Sequence, residues 1–330
     1  MKKNFALLGC GRIGERHAEQ IKRIGHLCAV CDIDPIKVDA FANKYGAKVY
    51  YHLDQLIISE KNIEVISICT PNGLHAVHAI SALKAGINVL CEKPLCLTNA
   101  EGRTMINTAN QAGKKIFVVK QNRYNPPVVY LKQLLQENLL GKIYSFQINC
   151  FWHRPPQYYT GWRGTKDLDG GTLFTQFSHF IDLLYWLLGD VETVKAIGAN
   201  GAHPAISFED TGAVLFHLTS GAIGTLHYTV NSFQKNMEGS ITIFGEKGTV
   251  KIGGEYLNEL EYFMVAGLTG PKLPTVNTPN QYGFYQGSMS NHDKVYDNLL
   301  KVLENPELPF ASAEDGLKTV EIIQRIYSAF

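Results

Sequence analysis

The first part of the chain alternates short apolar runs with amphipathic stretches. The runs Phe5–Leu8, Leu27–Cys31, Glu64–Cys69, Asn88–Cys91 and Ile116–Val119 are nearly continuous in apolar residues, as strands buried on both faces are. Helix signals lie between them. Asp34-Pro35 offers an N-cap followed by proline at the first helical position. Thr98-x-x-Glu101 is a capping box whose helix is expected to stop near Gly113. Strand and helix in regular alternation predict a doubly wound parallel sheet over residues 1–123.

Past Pro126 the pattern changes. A helix is expected to reach Asn138 and stop before Gly141. Longer alternating runs follow: Ile143–Trp152, then Gly212–Leu218 and Ala222–Val230 as a hairpin across Thr219-Ser220-Gly221. Ser240–Phe244 and Thr249–Ile252 flank a turn at Gly245-Glu246-Lys247-Gly248. Alternation predicts antiparallel strands with one covered face. A helix from about Gly171 to Leu188 interrupts them. Leu268–Gln281, rich in Gly, Pro, Thr and Asn, reads as an exposed loop, and helices over Ser290–Leu303 and Ala313–Ala329 close the chain. Residues 124–330 thus read as a second domain on an open-faced, mainly antiparallel sheet, with the C-terminal helix free to pack back on the first domain.

The first apolar run leads straight into Gly9-Cys10-Gly11-Arg12-Ile13-Gly14. Gly9 allows a tight turn, Gly11 lets backbone approach a diphosphate, and Gly14 lets helix and strand pack closely. The helix that opens at Arg12 and Ile13 turns its N–H groups toward the phosphates. Asp32 closes the second run, where a carboxylate accepts hydrogen bonds from the adenosine ribose. It would repel the 2′-phosphate of NADP, and no basic residue follows in Ile33-Asp34-Pro35. Together these residues predict a Rossmann domain that binds NAD.

Composition narrows the alternatives. The chain has 330 residues, long enough for two domains. Its formal net charge is +1 and it lacks a long basic run, which argues against nucleic-acid binding. No apolar run approaches the span of a bilayer, so a cytoplasmic protein without membrane contact is expected. The cysteines number seven, an odd count, and several lie inside apolar runs, where a thiol packs as a small hydrophobe. Cys28-Ala29-Val30-Cys31 is formally C-x-x-C, but on a strand its thiols point to opposite faces and no second such pair exists; the histidines are scattered, so no metal site is expected. No G-x-S-x-G elbow follows a strand.

Two strand ends carry the candidate chemistry of the first domain: Thr70-Pro71-Asn72-Gly73-Leu74-His75 and Glu92-Lys93-Pro94. A lysine there can hydrogen-bond a substrate hydroxyl, or act as a base if desolvated. In the second domain, Thr175 and His179 share one helix face at i,i+4, with Asp182 close by. His179 is a candidate proton acceptor.

These residues, with Gly9–Gly14 and Asp32, resemble the Gfo/Idh/MocA oxidoreductase family over essentially the whole chain. Glu92-Lys93-Pro94 is the most specific part. A closer likeness runs through Phe117–Arg123, Phe151-Trp152-x-Arg154-Pro155, Gly161-Trp162-Arg163-Gly164-Thr165 and Glu238–Val250, and is to the WlbA/WbpB group. Those enzymes oxidise the 3″-hydroxyl of UDP-N-acetylglucosamine-uronate (UDP-2-acetamido-2-deoxyglucuronate) in lipopolysaccharide O-antigen pathways. The resemblance implies that Lys93 and His179 are the catalytic pair. It implies that Thr70, Asn72, His75, Glu92, Asn122, Trp162 and Arg163 surround the NAD. It also implies a homodimer or homotetramer formed through the C-terminal sheet. One position departs from the family pattern: many members carry Asp four residues before the histidine, where this chain has Thr175. An uncharged residue there would not repel an anionic uronate.

A UDP-sugar needs cations and donors, for which Tyr159, Lys166, Thr175, Ser178, Lys235, Asn236 and His292 are candidates beside Lys93 and His179. Three rival readings share the fold: an inositol or free-sugar dehydrogenase, a non-catalytic NAD-binding regulator, and an NAD-dependent glycosidase.

Overall fold

The computed structural model describes residues 2–274, 278–281, 283 and 285–330. The chain divides into two compact units, residues 1–119 with 292–320, and residues 120–291 with 321–330. Sequence pattern had put the division after residue 123 and left the chain's last two helices with the second domain.

The first unit holds a six-stranded parallel sheet in the order β3-β2-β1-β4-β5-β6. Its strands are Asn4–Leu8 (β1), His26–Cys31 (β2), Lys48–Tyr50 (β3), Val65–Ile68 (β4), Asn88–Cys91 (β5) and Ile116–Val118 (β6). Helices Arg12–Ile24 (α1), Pro35–Tyr45 (α2), Leu53–Ser59 (α3), His75–Lys84 (α4) and Asn99–Ala112 (α5) alternate with them. Phe5, Ala6, Leu7, Val65, Ile66 and Ile68 are fully buried, as continuous apolar strands between two helical layers require. The caps form as read: Asp34 accepts from the N–H groups of Ile36 and Lys37, and Thr98 and Glu101 complete a reciprocal capping box. The edge strand β3 went unpredicted because Lys48-Val49-Tyr50 is short and not fully buried.

The second unit opens with Pro126–Gln136 (α6) and is built on a seven-stranded sheet. Its strands are Ile143–Phe151 (β7), Val191–Ala199 (β8), Thr211–Leu218 (β9), Ile223–Thr229 (β10), Glu238–Gly245 (β11), Gly248–Gly253 (β12) and Glu259–Val265 (β13), in the order β13-β12-β11-β7-β10-β9-β8. The hairpins β9–β10 and β11–β12 are antiparallel, as expected. The centre differs: β7 pairs in parallel with β10. Alternation reports which face a residue occupies, not strand direction, so it could not reveal this. The exposed edge strands β8 and β13 were also missed.

Between β7 and β8 lie a short turn of helix, Lys166–Asp169 (α7), and the helix Ser178–Leu188 (α8). The helix expected from Gly171 is not continuous, because Leu173–Phe177 form a π-helical turn before α8. Phe177 packs on Tyr228 of β10 and, with Phe180, on Trp152. The other side of the sheet is open: Ile197, Leu215, Ile223 and Met264 are all more than half exposed. In the stretch read as a loop, Pro279–Gln281 (β14) pairs with Gln286–Met289 (β15); residues 275–277 of that stretch lie outside the described residues. Helix His292–Glu304 (α9) belongs to the first unit, and Ala313–Tyr327 (α10) passes from the first unit into the second.

Within the second unit a buried carboxyl ties α10 to the sheet. Glu209 Oε1 accepts from the Tyr228 hydroxyl at 3.0 Å and the Tyr327 hydroxyl at 2.9 Å. Burial pushes this carboxyl up from an ordinary 4.5 to about 7, against the pull of both hydroxyls. It therefore binds its proton more tightly in the folded state. The stability it contributes is complete below pH 4.5 and is lost as pH rises through about 7. Glu209→Gln keeps the acceptor oxygen and removes the titration. Its thermal midpoint is expected to fall less than that of wild type between pH 4.5 and about 7 and to be higher above that range. Parallel midpoint-against-pH curves for the two proteins would refute this.

Candidate functional site

The glycine turn has the geometry a dinucleotide needs. Gly9 has φ +99°, and a Cβ there would sit 2.6 Å from the Cys69 carbonyl oxygen. A Cβ on Gly14 would collide with the carbonyl oxygen of Gly9. Gly11 differs: its backbone is extended, and a Cβ would meet nothing within 4 Å. Protein packing therefore does not demand glycine at 11, whereas a diphosphate lying against the backbone does. No side chain caps α1 at its N-terminus, so Arg12 and Ile13 begin a helix whose positive end suits an anion. Asp32 Oδ2 accepts from Cys10 N–H at 2.7 Å and Oδ1 from Asp34 N–H at 2.9 Å. Those two bonds fix the half-buried carboxylate beside the turn, and each oxygen retains a further lone pair for a ribose hydroxyl. The residues fit NAD.

At the ends of β4 and β5, several residues read as cofactor contacts also hydrogen-bond within the protein. His75 is fully buried, with Nδ1 2.7 Å from the Pro94 carbonyl and Nε2 2.9 Å from the Thr70 carbonyl. Burial lowers its pKa, while both carbonyls draw the proton back. Thr70 turns its hydroxyl to His78. Buried Glu92 takes the Lys93 N–H at 3.1 Å on Oε2. On Oε1 it meets His17 Nε2 at 2.9 Å and His292 Nε2 at 3.4 Å. Burial alone would raise the Glu92 carboxyl; the two imidazoles more than reverse that and hold it well below the usual range. His17 Nδ1 continues to the Tyr296 hydroxyl, which reaches Ser67. His292, read as a substrate contact, thus belongs to this network. Spacing along the chain suggested no metal site, yet among the described residues His17, Glu92 and His292 bring three ligand atoms within 4.8 Å of one another. They are too far apart in sequence to form a motif. Asn72 is buried beside this region and Lys93 is half-buried.

In the second unit the π turn delivers Ser178 and His179 to the first turn of α8, where both are buried. Asp182 is committed elsewhere. It lies 3.0 Å from Lys120 Nζ and takes two hydrogen bonds, 2.8 and 2.7 Å, from Arg123. Burial would raise this carboxyl, but Lys120 and Arg123 outweigh it and hold it low. The Thr175 hydroxyl donates to Asp169, a buried residue that sequence reading overlooked. The signal available was an acid immediately before Gly170-Gly171. Arg163 stacks its guanidinium on Trp162 at 4.7 Å and on Tyr158 at 5.0 Å. The atoms Asn122 Oδ1, Tyr159 Oη, Arg163 Nε and Ser178 Oγ are buried without a hydrogen-bond partner among the described residues. Asn236 is the reverse: its amide is occupied by His153, Arg154, Tyr256 and Gln286. Lys166 and Lys235 are exposed.

Both units resemble parts of known proteins. Residues 3–120 match the model of an oxidoreductase family with an NAD-binding Rossmann fold, and residues 128–251 match the Gfo/Idh/MocA C-terminal domain. A WlbA dehydrogenase from Chromobacterium violaceum, solved with NADH and UDP-GlcNAcA, is 36% identical. It superimposes with a TM-score of 0.90 over 99% of this chain and 93% of that one. The Bordetella pertussis WlbA dehydrogenase, solved with the same two ligands, gives 34% identity and a TM-score of 0.89 over 100% and 96%. Myo-inositol 2-dehydrogenase from Thermotoga maritima is 27% identical over 94% of this chain and 91% of its own.

The chain belongs to the Gfo/Idh/MocA oxidoreductase family. It is an NAD-dependent oxidoreductase with the expected pair of folds.

The Asp32 geometry yields a test that needs no substrate. Asp32→Asn keeps an acceptor for Cys10 N–H and removes the charge. A hydrogen bond to a charged group contributes about 1.5–3 kcal/mol, so the preference for NAD over NADP is expected to fall about tenfold or more. Calorimetric titration with each cofactor reads this ratio, and an unchanged ratio would exclude Asp32 from the ribose site.

Proposed function

We propose that the protein oxidises the 3″-hydroxyl of UDP-N-acetylglucosamine-uronate to the ketone, as a step in nucleotide-sugar assembly for lipopolysaccharide O-antigen. The observation that carries this reading is whole-chain likeness, at 36% and 34% identity, to two WlbA dehydrogenases solved with NADH and UDP-GlcNAcA. The inositol and levoglucosan relatives stand at 27% and 28%. Support comes also from the buried, unpartnered polar atoms of Asn122, Tyr159, Arg163 and Ser178, since such atoms in a native fold call for a ligand or water.

In this reading Gly9, Gly11, Arg12, Ile13, Gly14 and Asp32 hold NAD, with Thr70, Asn72, Asn122, Trp162 and Arg163 around it. NAD, when bound, supplies the carbon that accepts the hydride. His179 takes the hydroxyl proton at a ring nitrogen. The Lys93 ammonium stabilises negative charge as it grows on the oxygen. His75 and Glu92 hold the Lys93-Pro94 backbone from either side. Tyr159, Ser178 and the exposed cations Lys166 and Lys235 serve the nucleotide sugar. The open sheet face, with Ile197, Leu215, Ile223 and Met264 exposed, serves a homodimer or homotetramer. No helix among the described residues is long and apolar enough to cross a membrane.

The deciding experiment incubates the protein with excess NAD and UDP-N-acetylglucosamine-uronate, with UDP-N-acetylglucosamine and myo-inositol in parallel, and reads products by mass. A product two hydrogens lighter from the uronate alone is the expected result; oxidation of inositol instead would overturn the assignment. His179→Asn should then lose about 10²–10⁴-fold in kcat, the range of a general base. Near-full turnover in that variant, with loss in Lys93→Ala, would move the base to Lys93.

A further inference from the structure

Asp169 is 1% exposed and lies at the end of α7. Its Oδ2 accepts from Gly164 N–H at 2.8 Å, and its Oδ1 from Gly171 N–H at 3.4 Å and from the Thr175 hydroxyl. Thr175 Oγ1 is also 3.0 Å from the Asp169 carbonyl oxygen. Gly164, Gly170 and Gly171 have φ of +84°, +89° and +119°, a path that side-chain-bearing residues rarely follow. The backbone thus curls around one carboxylate. Burial raises its pKa, and the hydroxyl, the two N–H groups and the Arg163 charge oppose that rise.

Two segments meet at this carboxylate. Gly164 directly follows Trp162-Arg163. Thr175 sits in the π turn, four residues before His179. A π turn inserts an extra residue at the expense of regular helical bonding, and such turns gather at functional sites. Here the turn's own hydroxyl is held by a group outside the helix, which fixes how the turn is wound as it enters α8. A threonine can do this without bringing a second charge, because the anion stands one group further back.

We propose that Asp169 is a positioning residue: through the Thr175 hydroxyl it sets the placement of His179, and through Gly164 N–H it sets that of the Trp162-Arg163 segment. The proposal deepens the proposed function and rests on His179 as proton acceptor.

The test compares wild type with Thr175→Val, Thr175→Ser and Asp169→Asn. It measures kcat and KM for NAD with the nucleotide sugar. It also follows the His179 ring titration by NMR of histidine-labelled protein, with the signal assigned by its loss in His179→Asn. Thr175→Val is expected to lower kcat about 10- to 100-fold, the size of a lost hydrogen bond to a charged group. It should leave KM for NAD nearly unchanged and move the His179 titration. Thr175→Ser, which keeps the hydroxyl, should recover most of the kcat. Asp169→Asn should lower kcat and also raise KM for NAD, because both segments are released. If Thr175→Val keeps the wild-type kcat and His179 titration, or Thr175→Ser is no better than Thr175→Val, the proposal is overturned, whatever happens to the melting temperature. These two variants suffice should Asp169→Asn fail to fold. A wild type that leaves the nucleotide sugar unoxidised overturns the proposed function instead, and the His179 titration, which needs no substrate, still decides the positioning role.

Discussion

A carboxylate removed from water costs several kcal/mol unless hydrogen bonds and charge replace its hydration. Glu92 meets that condition at the C-terminal end of β5, with imidazoles from α1 and α9 on one oxygen and the next residue's N–H on the other. The consequences spread outward. The network fixes the backbone of Lys93, whose neighbour Pro94 is held again by His75. It gives α9 a polar anchor in the first unit, although that helix lies 200 residues further along the chain. It also engages Glu92 and His292, which the sequence reading set beside the cofactor and the sugar.

The second unit applies the same physics to Asp182 and Asp169. Asp182 is held by two cations, and its charge makes Lys120 and Arg123 tolerable in the interior. Asp169 accepts from two backbone N–H groups and a hydroxyl, with the Arg163 charge nearby. There burial outweighs the donors and the charge together, and the carboxyl stays raised. The first arrangement makes a rigid strut; the second ties loop to helix.

Much of this was legible in the sequence because the signals were local. The continuous apolar runs marked the parallel strands, and Gly9–Gly14 with Asp32 marked the cofactor turn. The caps at Asp34 and Thr98 fell where side-chain chemistry put them. What escaped notice depends on tertiary partners. Strands β3, β8 and β13 lie toward the sheet edges with one side wet, so their apolar signal is weak. The parallel pairing of β7 with β10 leaves no mark on alternation. The π turn is set by Asp169 and by the Tyr327 hydroxyl on Leu173 N–H, neither of them visible in helical periodicity. His17, Glu92 and His292 share no local pattern at all.

Among the buried polar residues read as site candidates, some have their hydrogen bonds met within the protein and some do not. His75, Glu92 and Asn236 all looked like contacts for small molecules, and all spend hydrogen bonds on the protein. Asn122, Tyr159, Arg163 and Ser178 each keep one buried polar atom without a partner among the described residues. Leaving a buried donor or acceptor unmet costs about 1–3 kcal/mol. Four such atoms in one unit of a marginally stable protein amount to a cost comparable with its whole stability. Replacing them with apolar groups of similar shape would remove that cost. Their retention is understandable if ligand or water completes these bonds, as the proposed reading has it for a bound nicotinamide or sugar.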